Sequence, residues 1–89
     1  MTTYRIVWKN SAQKELKRLP KDIIVKILQA VEKLRIDMNP KGSKKITGSV
    51  STYRIRIGDY QVVYSLNNKY LVIDVVRVGH RKDIYKKLS

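Results

Sequence analysis

The stretch that decides the fold is Tyr53-Arg54-Ile55-Arg56-Ile57-Gly58-Asp59-Tyr60-Gln61-Val62-Val63-Tyr64. Residues 53–57 alternate apolar and basic, the period of a strand with one buried face. Gly58-Asp59 then predicts a two-residue hairpin loop, with glycine at the first position as a type II′ turn prefers. Residues 60–66 return as a second strand. A loop of that length sets the register: Ile57 opposite Tyr60, and Arg56 opposite Gln61. Tyr53, Ile55 and Ile57 then share the core face. Arg54, Arg56 and Gln61 are expected together on an open face, where basic and polar groups can grip phosphates.

Working outward, Asn67-Asn68-Lys69 predicts another turn and residues 70–78 a further strand. Upstream, residues 41–52 carry Gly42, Gly48, Lys41, Lys44 and Lys45 and read as a basic loop. Before that loop the period is helical. Ile23, Ile24, Ile27, Leu28, Val31 and Leu34 form an apolar stripe expected to be core, and Asn39-Pro40 ends it. Ala12, Leu16 and Leu19 mark a shorter helix over about residues 11–19. Asn10 is its expected N-cap, with Gln13 completing a weak capping box. Pro20 joins the two helices and opens the second. Tyr4 to Trp8 is a β-prone run. Residues 83–88, with Ile84 and Leu88 one turn apart, predict a short terminal helix. The expected class is therefore α+β: an N-terminal strand, a two-helix hairpin and a three-stranded antiparallel meander in one antiparallel sheet, then a short C-terminal helix. One domain over residues 1–89 is expected for a chain this short.

Composition narrows the function. Lys and Arg number 20 against 7 acidic residues, a formal net charge of +13. That much like charge in a small body repels itself and favours a polyanion. Nucleic acid is the first candidate and an acidic protein the second. A membrane is not expected as a partner: no segment pairs a long apolar face with a basic one, and no run approaches the roughly 20 apolar residues of a spanning helix. The absence of cysteine removes disulfides, thiolate catalysis and Cys-ligated zinc. With one histidine and few carboxylates, no metal site and no cofactor are expected. The start of the chain has no apolar stretch of signal-peptide length, so the cytoplasm is the expected location.

The hairpin just quoted, together with Val76-Arg77-Val78-Gly79-His80-Arg81-Lys82-Asp83-Ile84-Tyr85, resembles the RelE/ParE toxin superfamily. The opening strand and helix hairpin fit it too, so the resemblance spans nearly the whole chain. It implies a RelE-like toxin of a type II toxin–antitoxin pair: a ribosome-dependent, metal-independent endoribonuclease that cuts mRNA in the A site. The ribose 2′-OH attacks the adjacent phosphate and leaves a 2′,3′-cyclic phosphate. Carried over position by position, Arg54 and Arg56 would stabilise the phosphorane-like transition state. Arg81 matches the family's phosphate-binding arginine, and Tyr85 its C-terminal tyrosine that orients the scissile nucleotide. His80 fills a position that is basic in some members and has a side chain suited to proton transfer near neutrality. Gln61, Lys44, Lys45, Lys82 and Lys86 would contact RNA. Gln61 departs from the pattern, because many active relatives carry arginine there, and glutamine brings hydrogen bonds without charge.

The implied partners are the ribosome, its mRNA and a cognate antitoxin, acidic on its binding face and joined to the toxin in a hetero-oligomer. Two other readings share the fold. One is a ParE-like toxin that poisons DNA gyrase by binding. The other is a catalytically weak nucleic-acid-binding homologue, which Gln61 favours.

Overall fold

The computed structural model describes residues 3–48, 50–80 and 82. In chain order the elements are β1 (Arg5–Trp8), α1 (Asn10–Lys17), α2 (Lys21–Lys33), β2 (Lys44–Lys45), β3 (Thr52–Ile57), β4 (Tyr60–Asn67) and β5 (Val72–His80). The strands form one five-stranded sheet in the order β1-β5-β4-β3-β2. This is the expected α+β class, with two differences in the sheet. Residues 44–45 pair with β3 instead of staying in a loop. And β1 runs parallel to β5, with Arg5 opposite Val72 and Trp8 opposite Val75, so the sheet is mixed rather than antiparallel throughout. Both helices and strands β2 to β4 intervene between the two, far more chain than the dozen residues that a parallel connection needs. The predicted terminal helix over residues 83–88 lies outside the described residues.

The β3–β4 hairpin has the register its loop dictates, with Ile57 opposite Tyr60 and Arg56 opposite Gln61. Gly58 has φ 62°, whereas Asp59 is not in the positive region, the combination that a type II′ turn requires. The β4–β5 turn falls slightly later than expected. The Asn67 side-chain oxygen accepts the N–H groups of Lys69 and Tyr70, both at 3.1 Å, and Leu71 closes the turn at φ 56°. β5 therefore starts at Val72.

Helix α1 starts one residue earlier than its cap signal suggested. Lys9 is the N-cap and makes no side-chain cap bond, and Asn10 lies inside the helix. Pro20 takes the N-cap position of α2 in extended geometry, which ends one helix and aims the next. Ile27, Val31 and Leu34 are buried against Ile55, Val62, Tyr64, Ile73, Val75 and Val78. Leu28, expected in the core stripe, is 44% exposed instead, because the helix shows the sheet a narrower face than the stripe spans. The start of β1 is held by the end of α2. Tyr4 N–H donates to Arg35 O at 2.9 Å, and Arg35 Nε donates to Tyr4 O at 3.2 Å. No helix among the described residues is long and apolar enough to cross a membrane.

Candidate functional site

The helices and the core residues Ile55, Val62 and Val78 share one face of the sheet. Strand alternation puts Arg54, Arg56, Gln61 and Val63 on the other, outer face. The registers line these residues up across the strands. Lys44 is opposite Arg54, Arg54 is opposite Val63, and Val63 is opposite Arg77. One step along the sheet, Arg56 is opposite Gln61 and Gln61 is opposite Gly79. Arg54 and Arg56 are separated by about 7 Å along β3, and neighbouring strands by about 4.8 Å. A transverse band of cations therefore crosses the outer face on a scale that suits successive phosphates or one charged reaction centre. Lys44 and Arg54 form no ion pair among the described residues.

Gln61 is where expectation and structure part. Its register is as read, but it is 0% exposed, beneath the surface rather than on an open face. Neither its Nε2 nor its Oε1 has a hydrogen-bond partner. Gly79 beside it adds no side chain. A buried amide in this state costs roughly 1–3 kcal/mol per unmet group, so it stands as an unspent donor and acceptor in the middle of the cation band.

The neighbouring lysines divide. Lys45 is opposite Tyr53, on the helix-bearing face, so only Lys44 joins the band. His80 also falls on the far side. It is opposite Tyr60, which packs against the core, and the two rings meet edge to face at 5.6 Å. His80 Nδ1 accepts the Lys82 N–H at 3.3 Å. His80 thus does not share the face of Arg54 and Arg56, because it is one residue past Gly79 in a strict alternation. Lys82 is exposed. Arg81, Tyr85 and Lys86 lie outside the described residues.

Arg77 was not singled out from sequence. Its Nη2 donates to Glu15 Oε2 at 2.8 Å, and Glu15 Oε1 accepts the Val78 N–H at 3.1 Å. β1 leaves β5 after Val75, and Glu15 of α1 takes up the strand edge just beyond. Arg77 is therefore already neutralised and helps position β5, whereas Lys44 and Arg54 are not. Its placement depends on the irregularity between Val63 and Tyr64, which changes the phase of the pairing and leaves no sequence mark. Among the described residues no three His, Asp or Glu side chains gather as a metal site would.

The sequence and the fold both have counterparts among known proteins. The family described as "ParE toxin of type II toxin-antitoxin system, parDE" matches residues 6–85. A RelE1 relative from Methanocaldococcus jannaschii is 32% identical over 76 residues, covering 82% of this chain and 84% of that protein. Among solved structures, the archaeal RelE–RelB complex from Pyrococcus horikoshii OT3 aligns at a TM-score of 0.76 and 32% identity, covering 90% of this chain and 97% of that one. The isolated E. coli RelE toxin aligns at 0.78 and 20% identity, covering 96% and 94%, a likeness of fold. The chain belongs to the RelE/ParE superfamily of toxins from type II toxin–antitoxin systems.

Proposed function

We propose that the protein is a ribosome-dependent endoribonuclease that cleaves mRNA in the A site. The observation that carries the reading is the band Lys44–Arg54–Val63–Arg77 beside Arg56–Gln61–Gly79 on the outer face. In the reaction the ribose 2′-oxygen bonds to phosphorus as the bond to the 5′-oxygen breaks. The products are a 2′,3′-cyclic phosphate and a 5′-hydroxyl, with one proton leaving the nucleophile and one reaching the leaving oxygen. Charge builds on the phosphate oxygens in between, and preorganised cations there lower the barrier. Guanidinium stays protonated at working pH, so Arg54 and Arg56 act by charge rather than as bases. Arg81 would add a phosphate contact and Tyr85 would orient the scissile nucleotide. Lys44, Lys82 and Lys86 would hold flanking phosphates, whereas the buried amide of Gln61 has no surface to offer the RNA. His80, on the other face, ranks below Arg81 as a catalytic candidate. An acidic cognate antitoxin would restrain the toxin in a hetero-oligomer in the cytoplasm.

A gyrase-poisoning function without cleavage is the second reading. It is favoured by the ParE description of the matching family and by the uncharged Gln61 at the centre of the band. Replacing Arg54 with Ala separates the two. Under the first reading ribosome-dependent cleavage falls about 100- to 1,000-fold, the scale for losing one transition-state donor, while the melting temperature holds. Unchanged cleavage by a folded Arg54→Ala protein would remove the assigned role.

A further inference from the structure

Asp74 is the one acidic residue of the five strands, among the described residues. Ile73 and Val75 on either side of it are buried in the core beneath the helices, so alternation turns the Asp74 side chain to the outer face. There it is partly buried. Among the described residues its carboxylate has no hydrogen-bond or ion-pair partner. Ser65 is opposite it on β4, a pairing that sets the two side chains about 5 Å apart. Thr52 is opposite Ser65 on β3, and the two hydroxyl oxygens lie 3.1 Å apart. A row of two hydroxyls and a carboxylate therefore crosses the sheet about 7 Å from the row Lys44–Arg54–Val63–Arg77. The row beyond it carries Arg5, opposite Val72.

On a surface that attracts phosphate, a carboxylate costs affinity by repulsion. Arg5 and Arg54 stand in the flanking rows, yet neither is paired with it. Both of its oxygens are left as acceptors, and the chemistry that satisfies them is narrow. Phosphate is repelled. Among the bases of RNA only guanine sets two donors side by side on its Watson–Crick edge, N1–H and the N2 amino group, with O6 next to them as an acceptor. The two carboxylate oxygens match the donors, and the Ser65 hydroxyl can donate to O6. Adenine and cytosine offer one amino group beside an acceptor, and uracil one N–H between two acceptors, so each sets a lone pair against the carboxylate. Unstacked bases of single-stranded RNA are read on these edges. We propose that Asp74, with Ser65 beside it, reads a guanine base in RNA whose backbone lies on the neighbouring cation row. This rests on the reading of the outer face as the RNA-binding face and adds a specificity residue to it.

The test uses the full chain and labelled heptauridines that differ only at the central residue, followed by fluorescence anisotropy at low salt. The central guanosine is expected to bind about tenfold or more tightly than adenosine, cytidine or uridine, the scale of one bidentate base contact. Inosine, which lacks the N2 amino group, should lose most of that gain, and 2′-deoxyguanosine should keep it. Amide chemical-shift changes specific to the guanosine strand should centre on residues 64–66 and 73–75. Asp74→Val, suited to a strand, and Asp74→Asn should both erase the preference with circular dichroism unchanged. Both should bind the adenosine strand at least as tightly as the native protein does, because a repelling charge has gone; a purely structural role for Asp74 gives no such gain. Equal binding of all four bases, no binding of any strand, or a preference that survives both substitutions would overturn the proposal. So would a loss with 2′-deoxyguanosine but not with inosine, which would put the carboxylate on the ribose. No ribosome enters the assay, and cleavage is tested separately through Arg54→Ala, so either reading can fail while the other stands.

Discussion

Gln61 is fully buried with both amide atoms unmet, opposite Arg56 on one strand and Gly79 on the other. Such a group destabilises the fold, and exceptions of this kind call for a functional reason. Gln61→Met, close in volume and free of orphan atoms, is expected to stabilise the protein by about 1–2 kcal/mol. That would raise the melting temperature by roughly 4–16 °C for a domain of this size. Gln61→Arg would supply the charge that many active relatives carry here, but burial works against it, because a guanidinium forced into this position beside Arg56 is an unpaired buried charge. Gln61→Arg should melt lower than the native protein, which a thermal scan checks directly. At Arg81 the family resemblance alone sets the expectation: Arg81→Ala should abolish growth arrest on induction, and an unchanged arrest would sink its assigned role.

At the scale of elements, β5 depends on α1 through one carboxylate. Glu15 accepts from both Val78 N–H and Arg77 Nη2 where β1 no longer covers the strand. Glu15→Ala is expected to cost about 1–3 kcal/mol, from a stranded strand-edge N–H and a broken, partly screened ion pair. Glu15→Gln should cost less because one acceptor remains. Urea midpoints of the two variants give the comparison. What could be read of the elements divides the same way. The β3–β4 hairpin was legible to the residue because a two-residue loop with glycine first dictates its own register. The core face of α2 was legible at Ile27, Val31 and Leu34, though not at Leu28, since periodicity does not report how wide a face the sheet will cover. The two-residue β2 was not legible, being too short for any period. Nor was the parallel β1–β5 pairing, which joins segments more than sixty residues apart. His80 was expected with the arginines, and alternation from Val78 through Gly79 turns it to the other face. Seeing that requires the irregularity at Val63/Tyr64, which no residue type announces.

For the whole molecule, two global properties give measurable consequences. Tyr64 ties the core to the loop before β2: its Oη donates to Met38 O at 2.9 Å. Burial, offset partly by a hydrogen bond with Ser43, pushes its pKa up to about 12 from 10.0. The folded pKa lies above the unfolded one, so this contribution is fully present below pH 10 and is lost as pH rises from 10 through about 12. Tyr64→Phe should flatten that alkaline limb in stability measured against pH, at a cost of about 1 kcal/mol below pH 10. The net charge of +13 predicts strongly salt-dependent binding to any RNA. If four phosphates are engaged, affinity for single strands falls roughly 50-fold between 50 and 200 mM salt, as filter binding would register.

On the proposed reading the outer-face cation band cuts RNA inside the ribosome. The most direct test is primer extension on a defined mRNA in a reconstituted translation reaction, with and without ribosomes, beside a gyrase supercoiling assay at the same protein concentration. Breaks are expected within A-site codons only when ribosomes are present, with supercoiling unimpaired. Intact mRNA alongside inhibited gyrase would contradict it and assign the fold to a gyrase poison.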